Sequence, residues 1–354
     1  MSTATTGRVR ARHRRLTAGP WTLLLERRSV RVGLVLLGVI VVLTVAGLLI
    51  GDYPLDAAGA VRALLGLGDD PLARYFVQQQ RAPRVVAALV VGAALAASGS
   101  IFTSLSANPL GSPDVIGFTT GSATGALVQI VLFDAGPGGI AAGALLGGFA
   151  TAAVVYALSW RHGLSGSRLV LVGIGTSAVL QGVNNLLIVR ASLTAAQTAS
   201  LWLAGSFNGT SWARSGPLLA LLLLLLPPAL ALSRPLGTMV LGDELAAGLG
   251  VRVERTRGAL VAVGIALVAI ATATAGPIAF VALAAPQVAR RLTRTSGIGM
   301  GTAAITGAAM VLASDLVAQR LFAPTQLAVG VVTGSLGGLY LIWLLATHAR
   351  RAAG

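Results

Sequence analysis

The side chains able to do chemistry are few, and their scarcity narrows the function. The 354-residue chain has no cysteine, so a disulfide framework, a thiol nucleophile and a cysteine-based metal site are all excluded. None of its three histidines, His13, His162 and His348, has a glutamate near enough to form a zinc motif. All 26 basic residues are arginine. A Walker A loop needs a lysine on the nucleotide phosphates, so the chain is not a conventional P-loop ATPase. No catalytic constellation, resident metal or cofactor is expected.

Two features stand out. Asp315 is the only carboxylate predicted within a span, in LASDLVAQR. Such a group is a functional candidate, here a proton relay. The preferred expectation is plainer: a buried hydrogen-bonding partner for Arg320 or a nearby backbone group. A proton-driven carrier usually shows more than one such group. The second feature is Leu241–Arg257, LGDELAAGLGVRVERTR, between two apolar blocks. Leu241, Leu245 and Leu249 recur every fourth residue and line one face of a short helix. Asp243 is expected to cap its start, and Gly248 and Gly250 to end it. A helix this short cannot cross a bilayer, which takes ~20 apolar residues. It is expected to lie at the membrane surface as a contact for another protein.

The elements that hold these residues follow from composition. Hydrophobic residues make up 55% of the chain and charged ones only 10%, against roughly 25% charged in soluble domains. The fold expected is all-α, a polytopic membrane protein. The net charge of +15 is read as positive-inside bias, not as a nucleic-acid footprint. A basic arm, residues 1–31, precedes a single permease domain, 32–347, whose coupling helices lie about 241–252. A cytoplasmic tail, 348–354, follows.

The first span runs from Val32 to Ile50, is long enough to cross and lacks an A-x-A-like end, so it reads as an uncleaved helix. Nine further segments follow, near 83–104, 114–133, 138–159, 167–189, 216–233, 257–275, 278–292, 299–320 and 328–347. Ten spans put both termini inside, with 19 of the 26 arginines on the inner side. The shortest, 278–292, follows the breaker Gly276-Pro277 and is expected to be discontinuous or re-entrant. Gly92, Ala96 and Gly99, and Gly117, Gly121 and Gly125, have small-residue spacings that let helices approach closely.

Five blocks in order carry a family resemblance: RAPRVVAALVVGAALAASG (Arg81–Gly99), NPLGSPDVIG (Asn108–Gly117), LGDELAAGLGV (Leu241–Val251), GPIAFVALAAPQVARRL (Gly276–Leu292) and VGVVTG (Val329–Gly334). The chain resembles the permease subunits of the iron-siderophore and cobalamin type II ABC importers, the FecCD type, and most of all the ferric-enterobactin-type permeases. The resemblance implies ten helices with inverted-repeat-like halves and a second permease subunit, either a sister chain or a copy of itself. It also implies a cytoplasmic ATPase dimer, an extracytoplasmic substrate-binding protein and a bacterial plasma-membrane location.

On this resemblance Leu241, Gly242, Asp243, Glu244, Ala247, Gly248, Leu249 and Gly250 dock on the ATPase. Arg81 and Arg84 grip acidic residues of the binding protein, as an arginine fork suits carboxylates. Arg320 stands one residue past the third family arginine, whose place Gln319 takes, and so points ~100° away. Asn108, Pro109, Leu110 and Pro113 form a tight cytoplasmic turn at the inner end of the pathway. Thr103, Gln287 and Ala328 depart from the common pattern, which has Gln, His and Pro there. The stretches Gly117–Ile130 and Ser200–Leu218 look like the ferric-siderophore branch, with Trp202, Phe207 and Trp212 as interfacial anchors. A ferric siderophore is therefore the expected cargo, ahead of cobalamin or heme, with a proton-coupled carrier using Asp315 behind these.

Overall fold

The computed structural model describes residues 13–18, 21–51, 53–67, 70–160, 166–295 and 297–352. His162 and the first twelve residues of the basic arm lie outside them. Within the arm, β1 (His13–Ala18) and β2 (Trp21–Glu26) pair antiparallel, His13 opposite Glu26 and Ala18 opposite Trp21. Among the described residues, the regular elements that follow are all helices.

Helix α1 spans Arg27–Leu49, beginning ahead of the apolar run at Val32. A short helix, α2 (Ala57–Leu64), leads to α3 (Pro71–Leu105), which is 35 residues long. Then come α4 (Phe118–Leu132), α5 (Pro137–Ser159), α6 (Gly166–Arg190), α7 (Leu193–Leu203) and α8 (Trp212–Met239). The remaining helices are α9 (Asp243–Gly248), α10 (Val253–Ala275), α11 (Val281–Thr293), α12 (Met300–Arg320) and α13 (Val329–Ala352). Among the described residues seven of these, α1, α3, α5, α6, α8, α10 and α12, are long and apolar enough to cross a membrane. Two shorter apolar stretches, α4 and the Val329–Tyr340 part of α13, accompany them.

Helix α3 is the post around which the others stand, packed by α8, α10, α11 and α12. It is apolar on every side, and a helix hydrophobic all round belongs in an interior. Small residues set its distances. A methyl group at Gly92 would lie 2.3 Å from the Gly307 carbonyl oxygen on α12, and one at Gly99 would strike Ala282 on α11. The backbones therefore nearly touch, as small-residue pairs allow in lipid. Gly121 and Gly125 pack α4 on α5 in the same way. At its outer end α3 contains a π-turn, Phe76–Arg81, in which one extra residue widens the helix.

Helix α11 has only 13 residues, roughly 20 Å of rise, against a hydrocarbon core of ~30 Å. The chain leaves α10 through Gly276, at φ +73, passes Pro277, and resumes helix only at Val281. The discontinuity expected from Gly276-Pro277 is present.

Candidate functional site

The stretch Leu241–Gly250 is built by its glycines. Gly242 adopts φ +112, a conformation open to glycine at no steric cost, and turns the chain out of α8 into α9. Gly242 holds the cap position itself, with no side-chain cap bond. The expected cap by Asp243 is therefore corrected: Asp243 is the first helical residue. Its carboxylate complements the positive helix end there and accepts two bonds from Arg257 Nη2, at 2.7 and 2.8 Å. Arg257 also pairs with Glu254 at 3.0 Å, which ties α9 to the start of α10. The amides of Leu249 and Gly250 close the last turn on the carbonyls of Leu245 and Ala247, at 3.0 and 2.9 Å.

Ala246 faces the body and is fully buried, whereas Leu241, Leu245 and Leu249 are 64%, 62% and 69% exposed. Glu244, Ala247, Gly248 and Gly250 are exposed as well. A side chain added at Gly248 meets nothing within 4 Å. The result is an apolar stripe with an acidic start that no described residue covers.

The turn after α3 opens with Ala107 at φ +48. Asn108 Oδ1 accepts the Leu110 amide at 2.9 Å, the local bond that favours Asn in turns. Leu110 is 50% exposed. Pro109 is held from α11, where Gln287 Nε2 donates to its carbonyl at 3.0 Å. Pro113 is buried, and the chain passes through Gly117, at φ +91 beside Gly173, into α4. The turn thus reaches up against α6 and α11 and does not lie flat at the surface.

The arginines in the first half of α3 are engaged within the chain. Arg81, 7% exposed, donates to the carbonyls of Leu48, Leu49 and Tyr53 at 2.8, 3.1 and 2.5 Å. It closes the end of α1, whose last carbonyls would otherwise be orphaned. Arg84 forks onto Asp315, with Nε and Nη2 both at 2.9 Å, and donates through Nη1 to Gln326 at 3.0 Å. The side chains of this pair are 14% and 1% exposed. One expectation is corrected: Asp315 answers Arg84 and not Arg320. The cause is the close α3–α12 packing at Gly92 and Gly307, which sets the two groups opposite each other. Gln319 completes the cluster, donating to Asp315 Oδ2 at 2.8 Å.

Arg320 is exposed at the end of α12. With Arg81, Arg84, Gln79, Gln80 and Gln326 it borders a polar cavity of about 410 Å³. Of the expected aromatic anchors, Phe207 is instead a core residue, and Trp212 Nε1 donates to the Gln78 carbonyl at 2.6 Å.

One residue escaped the sequence reading. Asp114, just past the turn, has its carboxyl end buried: Oδ1 accepts the Thr119 hydroxyl at 2.7 Å, and Oδ2 has no partner among the described residues. The signal that would have found it is a hydroxyl five residues on, at the head of an apolar run. Among the described residues no group of histidines and carboxylates could hold a metal ion.

The chain is 46% identical over 327 residues to the ferric enterobactin transport system permease protein of Escherichia coli strain K12, covering 92% of this chain and 98% of that one. It is 39% identical over 318 residues to the achromobactin transport system permease protein of Dickeya dadantii strain 3937, covering 89% and 90%. To a vitamin B12 import system permease protein of Shigella boydii it is 34% identical over 292 residues, covering 81% and 89%. A solved inward-facing structure of a metal-chelate type ABC transporter superposes with TM-score 0.80 at 28% identity, over 90% of this chain and 99% of that one. The FecCD transport family matches residues 39–347. The chain therefore belongs to the FecCD transport family: it is a multi-pass inner-membrane permease, a transport subunit and not an enzyme, of the kind that works with a separate ATPase and a substrate-binding protein.

Proposed function

We propose that this permease carries a ferric siderophore inward, by alternating access driven from a cytoplasmic ATPase dimer. The observation that carries the cargo is the 46% identity, nearly end to end, to a ferric enterobactin permease, with a second siderophore permease at 39%. The vitamin B12 permease stands further off at 34%. Carriage of iron already wrapped in its chelator suits a chain whose described residues include no metal-ligating cluster. A proton-coupled mechanism through Asp315 is not favoured, because that carboxylate is held by the Arg84 fork.

In this scheme the ATPase grips Leu241–Gly250 through the uncovered leucine stripe, and its closing rocks the permease against a second permease subunit. Both termini face the cytoplasm. The turn Asn108–Pro113 forms the inner gate. The binding protein docks at the outer cavity, with Arg320 as the cation offered to its acidic residues and Arg84 as the pillar behind it.

Reconstitution in vesicles with the ATPase, the second permease subunit and the binding protein tests the proposal against a panel of ferric siderophores, heme and vitamin B12. ATP-dependent uptake of a ferric siderophore is expected. Uptake of vitamin B12 or heme in its place, or siderophore uptake without ATP, overturns it.

A further inference from the structure

Helices α5 and α8 both pack on α10 and form the two walls of a cleft above it. The cleft encloses about 620 Å³, within the ~300–1,000 Å³ range of small-molecule sites. Ile140 and Leu145 line it from α5, Pro217 and Leu221 from α8, and Ile270 from its floor on α10. The polar groups on its walls are largely in use. Thr274 and Thr198 turn their hydroxyls back onto the carbonyls of Ile270 and Thr194, at 2.9 and 3.0 Å. The side-chain oxygen of Gln326 accepts from Arg84 at 3.0 Å. The interior therefore suits an apolar occupant, because polar groups brought into it would lose water without gaining partners.

The mouth of the cleft has a different chemistry. Arg214, in the first turn of α8, borders it and is exposed. Its guanidinium makes no hydrogen bond or ion pair among the described residues. Three residues on, Pro217 has no amide to give, so the Ala213 carbonyl, also at the cleft, lacks its usual helical donor. Helix α8 has 28 residues, ~42 Å of rise, so its first turn lies at headgroup level when it crosses a hydrocarbon core of ~30 Å. Leu221 stands roughly 10 Å nearer the bilayer centre. Leu201 and Leu221, 73% and 38% exposed, leave the side of the cleft open, and Leu223 and Leu224 continue the exposed apolar flank.

We propose that the cleft between α5 and α8 holds an anionic phospholipid of the phosphatidylglycerol class. Its phosphate sits on Arg214, a headgroup hydroxyl donates to the Ala213 carbonyl, and one acyl chain runs between α5 and α8 past Leu221. Charge, polarity and depth all agree on this occupant. The arginine fork matches a phosphate, and the apolar interior begins where the headgroup ends. One basic group near the membrane surface favours an anionic lipid about fivefold. A ferric chelate fits less well, since its polar surface would find few partners inside. The site is independent of the cargo assigned above, and loss or absence of siderophore uptake does not bear on it.

The test uses the purified full-length permease in detergent, with lipid binding read by titration in native mass spectrometry. Phosphatidylglycerol and phosphatidylcholine with the same acyl chains are compared on the native chain, on Arg214→Gln and on Ala141→Phe, which places a ring at the cleft wall. The native chain is expected to prefer phosphatidylglycerol about fivefold. Arg214→Gln should abolish that preference, and Ala141→Phe should weaken both lipids. Where Ala141→Phe fails to insert, Arg214→Gln decides alone, since an exposed side chain is replaced with little effect on the fold. Unchanged phosphatidylglycerol affinity in Arg214→Gln overturns the site and leaves only lipid bound around the perimeter. Displacement of phosphatidylglycerol from the native chain by a ferric siderophore also overturns it, giving the cleft to the cargo. Displacement by a second permease subunit does the same, giving the cleft to the subunit interface.

Discussion

Replacing Leu245 and Leu249 by alanine should weaken the hold of the ATPase without harming the permease itself. Fully burying a leucine side chain is worth ~1.5–3 kcal/mol. Leu245 and Leu249 are 62% and 69% exposed, so each still has about 1–2 kcal/mol to gain from a partner. Truncation to alanine forfeits most of that, roughly 1 kcal/mol or slightly more per site, which is about five- to tenfold in Kd. If the two sites add, the double variant binds roughly 30- to 100-fold more weakly. Within the chain the change is mild, since surface substitutions usually stay within ~0.5 kcal/mol. A bulky residue at Gly248 should act the same way, because a side chain there meets nothing within 4 Å in the permease. The assay is titration of the ATPase onto immobilised permease in detergent, beside thermal unfolding of the permease alone. Unchanged affinity in the double variant would refute the reasoning, and so would an equal loss of permease stability.

Three further outcomes are expected. Asp315→Ala leaves the Arg84 guanidinium buried without its carboxylate, which costs about 3–5 kcal/mol and should lower the unfolding temperature in detergent; the paired change Arg84→Met with Asp315→Leu should recover much of it. Arg320→Glu should weaken binding-protein docking, more at low salt than at high, since exposed charges are screened over ~10 Å at 0.1 M; a salt-independent effect would remove Arg320 from the docking surface. At the outer face, the Tyr53 hydroxyl beside Asp70, and then the amides of Ala73 and Leu72, hold the Asp70 carboxyl below its ordinary value. A lowered folded value stabilises above the unfolded pKa of ~3.9 and is lost as pH falls through the folded value. Exchange of the Leu72 and Ala73 amides should therefore accelerate, relative to neighbouring outer-loop amides, only below about pH 4.

The parts of this fold legible in the sequence were those governed by local rules. Apolar run lengths marked the helices, Gly276-Pro277 marked the break, and the spacing of Leu241, Leu245 and Leu249 marked a surface helix with one apolar face. Helix-capping statistics misjudged Asp243, because a nearby glycine able to adopt φ +112 took the cap position. The longer-range pairings were not legible. Arg84 and Asp315 lie 231 residues apart, and nothing in two spans that are apolar all round says which faces meet. That choice is made by Gly92 and Gly307, whose role appears only when their backbones are seen in contact. Asp114 shows the same limit: its bond to Thr119 and the burial of its carboxyl end are set by packing that the Pro-flanked turn alone does not reveal.

The π-turn near the top of α3 separates two tasks that an unbroken helix would fuse. Below it the rod is fixed in azimuth by the glycine contacts at position 92 and the Arg84 fork; above it the stub Pro71–Tyr75 is set by Asp70 and the outer loop. Removing one residue from Phe76–Gln80 would rotate that stub by ~100° against a rod that stays put. The face that the stub presents can thus be re-aimed by single-residue insertions or deletions that leave the packed rod untouched.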